Sequence, residues 1–308
     1  MDGLANFWGP HNFGMLPREY SNYESARVCV LPVPYESTTC YRTGTAMGPA
    51  AIVAASMNME LYDEELEIEP FRIGIHTTTP FVPSKNSVAE ALEDVEKVVR
   101  QLAEEHKFPV ILGGEHSISL GCVRALKRTY PDLSVLQIDA HADLRDAWEG
   151  TALSHACVMR RIIEVAPAVQ VGIRSMTREE QELARSRSLK IVQARELAAA
   201  RADEKRSLET ILAALSPTVY LTIDADGLDP SIMPAVGTPE PGGLGWYQTL
   251  SLIREVVSSR HVVGFDFVEL CPIAGNLAPD FLAARLVYKT IGYIFEKEVR
   301  RRPDPASF

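Results

Sequence analysis

Short apolar runs alternate along this chain with longer stretches of helical periodicity, and the runs lack the every-other-residue polar pattern of a strand with one wet face. VYLTI and VVGF are typical. A strand that is apolar on both sides must be covered on both sides. Strands of that kind alternating with helices specify βαβ units, so a mostly parallel sheet with helices on each face is expected. The pattern predicts strands at 27–33, 109–112, 133–139, 169–173, 189–192, 218–223 and 261–268. It predicts helices at 49–57, 87–106, 118–129, 155–165, 178–187, 204–215, 247–258 and 279–301. The clearest is 87–106, where Val88, Leu92, Val95, Val99 and Leu102 recur at three- and four-residue steps, with Ser87 placed to cap and Glu90 three residues on. The fold class that follows is α/β, a three-layer αβα sandwich.

A chain of 308 residues buries about three quarters of its unfolded surface, which is ample for a large core. No Gly/Ser linker or shift in composition divides it, so 1–308 reads as a single domain. The first 25 residues mix Gly, Pro, Asn and aromatics without periodicity and read as an extended arm, covering a neighbouring subunit or the same chain. With 31 Lys+Arg against 41 Asp+Glu, the formal charge is −10. A nucleic-acid partner is not expected, because neutralising phosphates needs a basic surface. The five cysteines, at 29, 40, 122, 157 and 271, are odd in number and contain no Cys-x-x-Cys. Buried, reduced thiols in a cytoplasmic protein are expected rather than a disulfide framework or a thiolate zinc cage. MDGLANFWGP is not patterned as a signal peptide, no segment is apolar enough to span a bilayer, and RRPDPASF carries no lipidation box.

Four strands lead directly into clustered ionisable residues. PVILGGEHS ends in Glu115–His116–Ser117, LQIDAHADLRD carries Asp139, His141 and Asp143, LTIDADGLDP carries Asp224, Asp226 and Asp229, and GFDFVELCP carries Asp266 and Glu269. Parallel α/β sheets place ligands beyond the carboxyl ends of their strands. Alternate residues of an extended segment point the same way, so Asp139, His141 and Asp143 project together. Buried charges gathered in this way need a partner or a metal. The plain structural alternatives are a strand end open to water, a helix-capping Asp143, a packed His116 and a turn at DADGLDP. The turn accounts for Asp229 but not for Asp224 and Asp226 on one face ahead of it. Two histidines and four aspartates from three strand ends supply donors for two divalent ions. Oxygen-rich ligation with imidazole and no thiolate suits Mn²⁺, and paired metals can jointly activate a bridging water.

GGEHS, DAHAD and DADGLDP, in this order and spacing, resemble the three metal signatures of the ureohydrolase (arginase/agmatinase) family. VPYESTTCYRTGTAMGPAAI resembles the family's N-terminal strand, loop and helix, and SHACVMRRI, GTPEPGGL and VELCP resemble its agmatinase branch. The likeness extends from about Val30 to Ile294. It implies an arginase-like fold and two Mn²⁺ per chain. It assigns His116, Asp139, Asp143 and Asp224 to one ion and Asp139, His141, Asp224 and Asp226 to the other, with Asp139 and Asp224 bridging. Asp143 would also orient the nucleophile, His155 would be the proton shuttle, and Glu269 would bind the guanidinium. The family has Asp more often than Glu in GGEHS. Its members are commonly trimers or hexamers, so a homo-oligomer is implied.

The implied reaction is manganese-dependent hydrolysis of agmatine to putrescine and urea, a step in polyamine biosynthesis. The loop LRDAWEGTALS lacks the Asn and Ser groups with which arginase-like sequences read an α-amino acid. An amine-ended substrate suits an aromatic or acidic rim, for which Trp148, Glu149, Tyr41 and Glu36 are the candidates. Arg145, Arg160 and Arg161 are expected in surface or subunit salt bridges. Guanidinobutyrate- or guanidinopropionate-type hydrolysis is the nearest alternative, and a single-zinc deacetylase-like enzyme or a non-catalytic metal scaffold the more distant ones.

Overall fold

In the computed structural model residues 11–199 and 204–302 are described. They form one eight-stranded sheet of β1 (Val28–Val33), β2 (Ile75–Thr77), β3 (Phe108–Gly113), β4 (Ser134–Ile138), β5 (Ala168–Ile173), β6 (Lys190–Gln193), β7 (Thr218–Asp224) and β8 (His261–Val268). The order across the sheet is β2-β1-β3-β8-β7-β4-β5-β6, and every pairing is parallel. All carboxyl ends therefore share one edge. The four strands that lead into the ionisable clusters, β3, β8, β7 and β4, are the central four.

The helices are α1 (Arg18–Ser21), α2 (Gly48–Ser56), α3 (Val88–Glu104), α4 (Ser119–Thr129), α5 (Val158–Ile162), α6 (Arg178–Ser186), α7 (Ala194–Ala199), α8 (Glu204–Ala214), α9 (Trp246–Ser259) and α10 (Ala278–Val299). Successive strand residues feed opposite cores, as the two-residue period requires. Val28 and Val30 join Ile52 of α2, Ile253 of α9 and Ile291 of α10 on one face. Cys29 and Leu31 join Val95 of α3, Val123 of α4 and Ile162 of α5 on the other. This is the three-layer sandwich that strands apolar on both sides demand. Ser87 caps α3 by accepting the Glu90 N–H at 3.2 Å. The reciprocal pair of a full capping box appears instead at Thr177 and Glu180 of α6.

Three features differ from the expectations. The edge strand β2 is only three residues long, too short to carry a readable period. The segment predicted as helix 155–165 is a 3₁₀ turn, His155–Cys157, followed by the five-residue α5. The stretch expected as an extended arm contains a 3₁₀ turn at Phe13–Met15 and α1, with Phe13 and Leu16 fully buried in the chain's own core. The arm's residues 1–10 and the tail's residues 303–308 lie outside the described residues. Among those described, no helix is long and apolar enough to cross a membrane. All five cysteines are free thiols, four buried and Cys40 half-buried.

Gly114 explains how the loop after β1 reaches the site. A Cβ there would lie 1.9 Å from the Tyr35 carbonyl oxygen. That close approach lets Gly114 donate to Val33 O at 3.0 Å and Glu115 donate to Tyr35 O at 2.9 Å. Replacing Gly114→Ala must push the two segments apart. The expected cost is about 3 kcal/mol, at the upper end for overpacking a tight interior, read as a lower urea midpoint. An unchanged midpoint would show that the loop yields freely.

Candidate metal centre

Four strand ends deliver the site. His116 opens the 3₁₀ turn His116–Ile118 after β3, Asp139 follows β4 immediately, Asp224 ends β7, and Glu269 follows β8. His116 Nδ1 lies 3.2 Å from Asp139 Oδ2, 3.3 Å from Asp143 Oδ2 and 3.2 Å from Asp224 Oδ2. His141 Nδ1 lies 3.0 Å from Asp226 Oδ2 and 3.7 Å from Asp139 Oδ1. Two groups of suitable ligand atoms result, His116–Asp139–Asp224 and Asp139–His141–Asp226. They share Asp139. All six side chains expected as ligands are thus brought together, and five of the six residues are buried, His141 being half-buried.

Each aspartate arrives by a specific backbone device. Asp139 accepts the His141 N–H at 2.6 Å and Asp224 accepts the Asp226 N–H at 2.8 Å, so each DxH or DxD pair closes on itself. Gly227 lets the two loops touch, since a Cβ there would meet the Asp139 amide nitrogen at 2.8 Å. Asp143 does not come round by simple alternation. Its φ is +51°, a left-handed conformation unusual outside glycine, and the turn is secured by the Arg160 N–H donating to its carbonyl at 3.0 Å.

Electrostatics show what the cluster lacks. Burial pushes Asp143 up to about 6, helped by the Asp139 carboxylate. Burial, then Asp226 and Asp139, holds Asp224 well above its usual range, and burial with Asp139 also raises Asp226. Asp139 moves down despite its burial, because both imidazoles flank it. Burial opposes charge on the histidines, yet the surrounding carboxylates lift His116 well above its ordinary value and His141 to about 12. Without a cation, the cluster relieves its charge by favouring protons on the two rings and, on the acids other than Asp139, by the upward shifts themselves.

The hydrogen bonding of His116 tests whether a cation fits. Tyr220 and Thr222 hydroxyls donate to Asp266 at 2.7 and 2.6 Å. Thr222 has then spent its only proton, so its contact with His116 Nε2 at 2.8 Å is donated by the ring. That leaves Nδ1 with the lone pair in the neutral ring, and Nδ1 is a buried atom without a hydrogen-bond partner. A lone pair surrounded by three carboxylates is an arrangement that fits a metal ion. Asp266, whose role the sequence left open, thus orients His116 from behind. Gln137 donates to Asp139 Oδ2 at 2.6 Å and is itself held by Gln170 at 2.5 Å. Arg174 binds the carbonyls of Asp226, at 2.6 Å, and Glu240, at 2.8 Å.

His116, His141, Asp143, Asp224 and Asp226 line a cavity of ≈ 290 Å³ together with His155, Glu269, Trp148, Cys40 and Arg145, and Asp139 lies behind them. Glu269 accepts the His116 N–H at 2.7 Å. Its backbone is left-handed, φ +62°, and fixed by its own N–H donating to Gly114 O at 2.8 Å. Burial, and then the Glu115 carboxylate, lifts Glu269 well above the usual carboxylate range. Trp148 lies at one side of a two-residue hairpin in which Trp148 and Thr151 exchange both backbone hydrogen bonds. Glu149 and Gly150 at its tip both have positive φ, 47° and 84°, as a tight primed turn requires. Glu149 is exposed there, and after burial its carboxylate is the main influence raising the Cys40 thiol.

Two expectations change, Glu36 at the rim and Arg145 in a surface salt bridge. Glu36 accepts from Gly44 N at 2.7 Å, Ala46 N at 3.1 Å and Thr39 Oγ1 at 3.1 Å, so it braces its own loop rather than presenting charge. Arg145 forms no salt bridge among the described residues: it lines the cavity and stacks 4.3 Å above the Trp148 ring. Arg160 and Arg161 do pair, both with Asp146 at 3.7 and 2.8 Å. Tyr41 is 91 % exposed. Asp229 accepts from Ser231 N at 2.9 Å and from Gly242 N and Gly243 N at 3.0 Å, closing a turn away from the ligands.

The upward pull of the carboxylates on His116 and His141 predicts that metal uptake releases protons from these rings. Calorimetry with Mn²⁺ in buffers of different ionisation enthalpy should show proton release at pH 7, with affinity weakening as pH falls. Buffer-independent heats would contradict the protonation derived above. Thr222→Val removes the acceptor behind His116 and should weaken metal affinity roughly 10–100-fold; unchanged affinity would show that Nδ1 needs no such orientation.

Comparison with known proteins places this geometry. Residues 26–292 match the Arginase family. The N(1)-aminopropylagmatine ureohydrolase of Synechocystis sp. is 40 % identical over 306 residues, covering 95 % of this chain and 99 % of that protein. A protein of the same name from Thermus thermophilus is 42 % identical over 275 residues, covering 88 % and 91 %. The crystal structure of agmatine ureohydrolase of Thermoplasma volcanium superposes with a TM-score of 0.87 at 31 % identity, covering 98 % of this chain and all of that one. With its parallel sheet, its shared-aspartate ligand groups and a match across most of its length, the chain belongs to the arginase family, as an agmatinase-like ureohydrolase.

Proposed function

We propose that the protein hydrolyses the guanidinium group of an amine-ended guanidine, agmatine or its N(1)-aminopropyl derivative, to urea and the corresponding amine, with two Mn²⁺ in the site. The observation that carries this reading is the pair of carboxylate–imidazole groups sharing Asp139, with Glu269 and His155 lining the same cavity. Relatives named for N(1)-aminopropylagmatine are the more similar in sequence, and a close structural neighbour is named for agmatine. Both names describe guanidines whose far end is an amine. The absence of an arginase-like Asn/Ser set between Asp143 and His155 agrees with that.

His116, Asp139, Asp143 and Asp224 would hold one ion, and Asp139, His141, Asp224 and Asp226 the other. Two such cations supply, when bound, a nucleophile available at neutral pH and positive charge to offset the anion that develops during attack. The rest is the work of the chain. Glu269 pairs with guanidinium N–H groups, and its fixed left-handed backbone sets the carbon's position. A cationic guanidinium favours the ionised carboxylate, so substrate binding opposes the upward pull that burial exerts on Glu269. Asp143 accepts a hydrogen bond from the attacking water and aligns it. His155 gives a proton to the leaving nitrogen as the C–N bond breaks. Water and the guanidinium ion together become urea and an alkylammonium ion, so charge and protons balance; for agmatine the amine is putrescine. A cytoplasmic homo-oligomer active in polyamine synthesis is the setting that this reading carries with it, supported by five free thiols and by the family.

The test is urea release from agmatine, N(1)-aminopropylagmatine, arginine and guanidinobutyrate after chelation and Mn²⁺ add-back. The two amine-ended compounds should be turned over at least tenfold faster than the two that carry a carboxylate. Preference for guanidinobutyrate would instead assign Arg145 to a substrate carboxylate. Asp139→Asn should lose both ions and all urea release; activity retained in that variant would refute the assignment.

A further inference from the structure

The loop after β1 touches His155 through the Thr38 hydroxyl and, more weakly, the Cys40 sulfur, and the hydrogen bonds around that hydroxyl are fully determined. Glu115 is completely buried. Its Oε2 accepts the backbone N–H groups of Ser37 and Thr38, both at 2.6 Å. Its Oε1 accepts the hydroxyls of Ser117 at 2.6 Å and Thr38 at 2.8 Å. Four donors converge on it, and a carboxylate has nothing to donate in return. The Thr38 proton is therefore committed to Glu115. A hydroxyl has one proton and two lone pairs. The lone pairs of Thr38 Oγ1 face two partners, the His155 backbone N–H at 3.0 Å and His155 Nδ1 at 3.2 Å. Since Thr38 can only accept there, Nδ1 must carry a hydrogen.

We propose that Thr38, anchored by Glu115, is a positioning residue that fixes His155 as the Nδ1–H tautomer, leaving Nε2 as the atom that takes and gives the proton of the reaction. The proposal rests on His155 being the proton donor to the leaving nitrogen. Three consequences follow from the geometry. The two hydrogen bonds from one residue to Thr38, through its backbone and its ring, fix both the start of the 3₁₀ turn and the ring plane. The free face of the ring, Nε2, meets the Cys40 sulfur at 3.6 Å, so a weak thiol contact is all that a substrate nitrogen has to displace. When Nε2 is protonated, Nδ1–H still points along Thr38 to the Glu115 carboxylate, so the charged ring keeps its orientation through the proton transfer. The transfer itself breaks the Nε2–H bond and forms an N–H bond on the departing amine, and the ring is then reprotonated from water.

This gives Glu115, the position at which the sequence departs from the commoner Asp, a role of its own. It holds no metal. Its chain is long enough to receive two amides and two hydroxyls, and through them it ties the His116 turn to the loop that holds His155.

Thr38→Val keeps the shape of the side chain and removes the acceptor; Thr38→Ser restores it. Valine should lower kcat for urea release from agmatine and N(1)-aminopropylagmatine roughly 10–100-fold, the scale of a misplaced general acid. KM and bound Mn²⁺ should stay within about twofold, and serine should recover most of the rate. In parallel, ¹⁵N spectra of the histidine-labelled wild-type protein should show His155 with hydrogen on Nδ1, and the valine variant should lose that preference. His155→Asn separates the two layers of argument. Full turnover in His155→Asn would remove the proton-donor reading itself. A crippled His155→Asn beside a fully active Thr38→Val, or a wild-type His155 protonated on Nε2 alone, would overturn the role of Thr38. So would a valine variant that raises KM or loses metal while kcat holds. The wild-type spectrum decides the tautomer even if the valine variant does not fold.

Discussion

Mutual repulsion among four aspartates, all less than 9 % exposed, is the constraint around which this protein is organised. A sheet in which every strand runs the same way brings all carboxyl ends to one edge, and the four central strands end in acids or lead into them. Little solvent reaches that edge to screen the charge, so the acids must be balanced by cations. Among the described residues, the groups that balance them at the cluster's centre are two imidazoles, which are driven to hold protons. Dications on the same donors satisfy the charge with the rings neutral and their lone pairs inward. A concentration of buried charge of this kind costs stability where it is uncompensated and so favours cation binding.

Behind the ligands stands a layer of hydrogen-bonding groups that decides which way each ligand faces. Asp266 takes both the Tyr220 and the Thr222 protons, which forces Thr222 to receive from His116. Gln170 holds Gln137, which holds Asp139. Glu115 takes the Thr38 proton, which forces Thr38 to receive from His155. The logic is the same at His116 and His155: a buried carboxylate consumes a hydroxyl's single proton, and the hydroxyl then dictates a histidine tautomer. In the neutral rings, His116 is left with its lone pair on Nδ1 and His155 with its lone pair on Nε2.

The sheet and the ligand cluster were legible because both follow short periods. The apolar runs marked seven of the eight strands, and the two-residue spacing of DAHAD and DAD put the paired donors on one side. Asp143 is a partial exception. Alternation pointed it correctly, yet it reaches His116 through a left-handed backbone rather than a continued strand. What the sequence could not display were relations between distant segments. Thr38 and His155 are 117 residues apart, and no local pattern marks their contact. Arg145 looked like any surface arginine until the Glu149–Gly150 turn folded Trp148 beneath it. Glu115 stood out only as a departure from the commoner Asp, and its four donors come mostly from another loop.

Gly114 shows why the catalytic floor can be well defined although it is built from loops. Its amide donates to Val33 O and its carbonyl accepts from Glu269 N, so the residue before the Glu115–His116 pair fixes both the β1 loop and the left-handed Glu269. Backbone strain at a non-glycine residue costs of order 1–3 kcal/mol and persists only where neighbours over-determine it. At Glu269 they do: Gly114 O holds its N–H, and its carboxylate accepts the N–H of His116, two residues beyond Gly114. His116, Glu269 and, through Tyr35 and Thr38, His155 are thereby referenced to one backbone position. A displacement at Gly114 would shift all three together, whereas the hairpin carrying Trp148 and Glu149 is attached to none of these bonds. A change in that hairpin can therefore alter the cavity rim while leaving the placement of His116, Glu269 and His155 as it is.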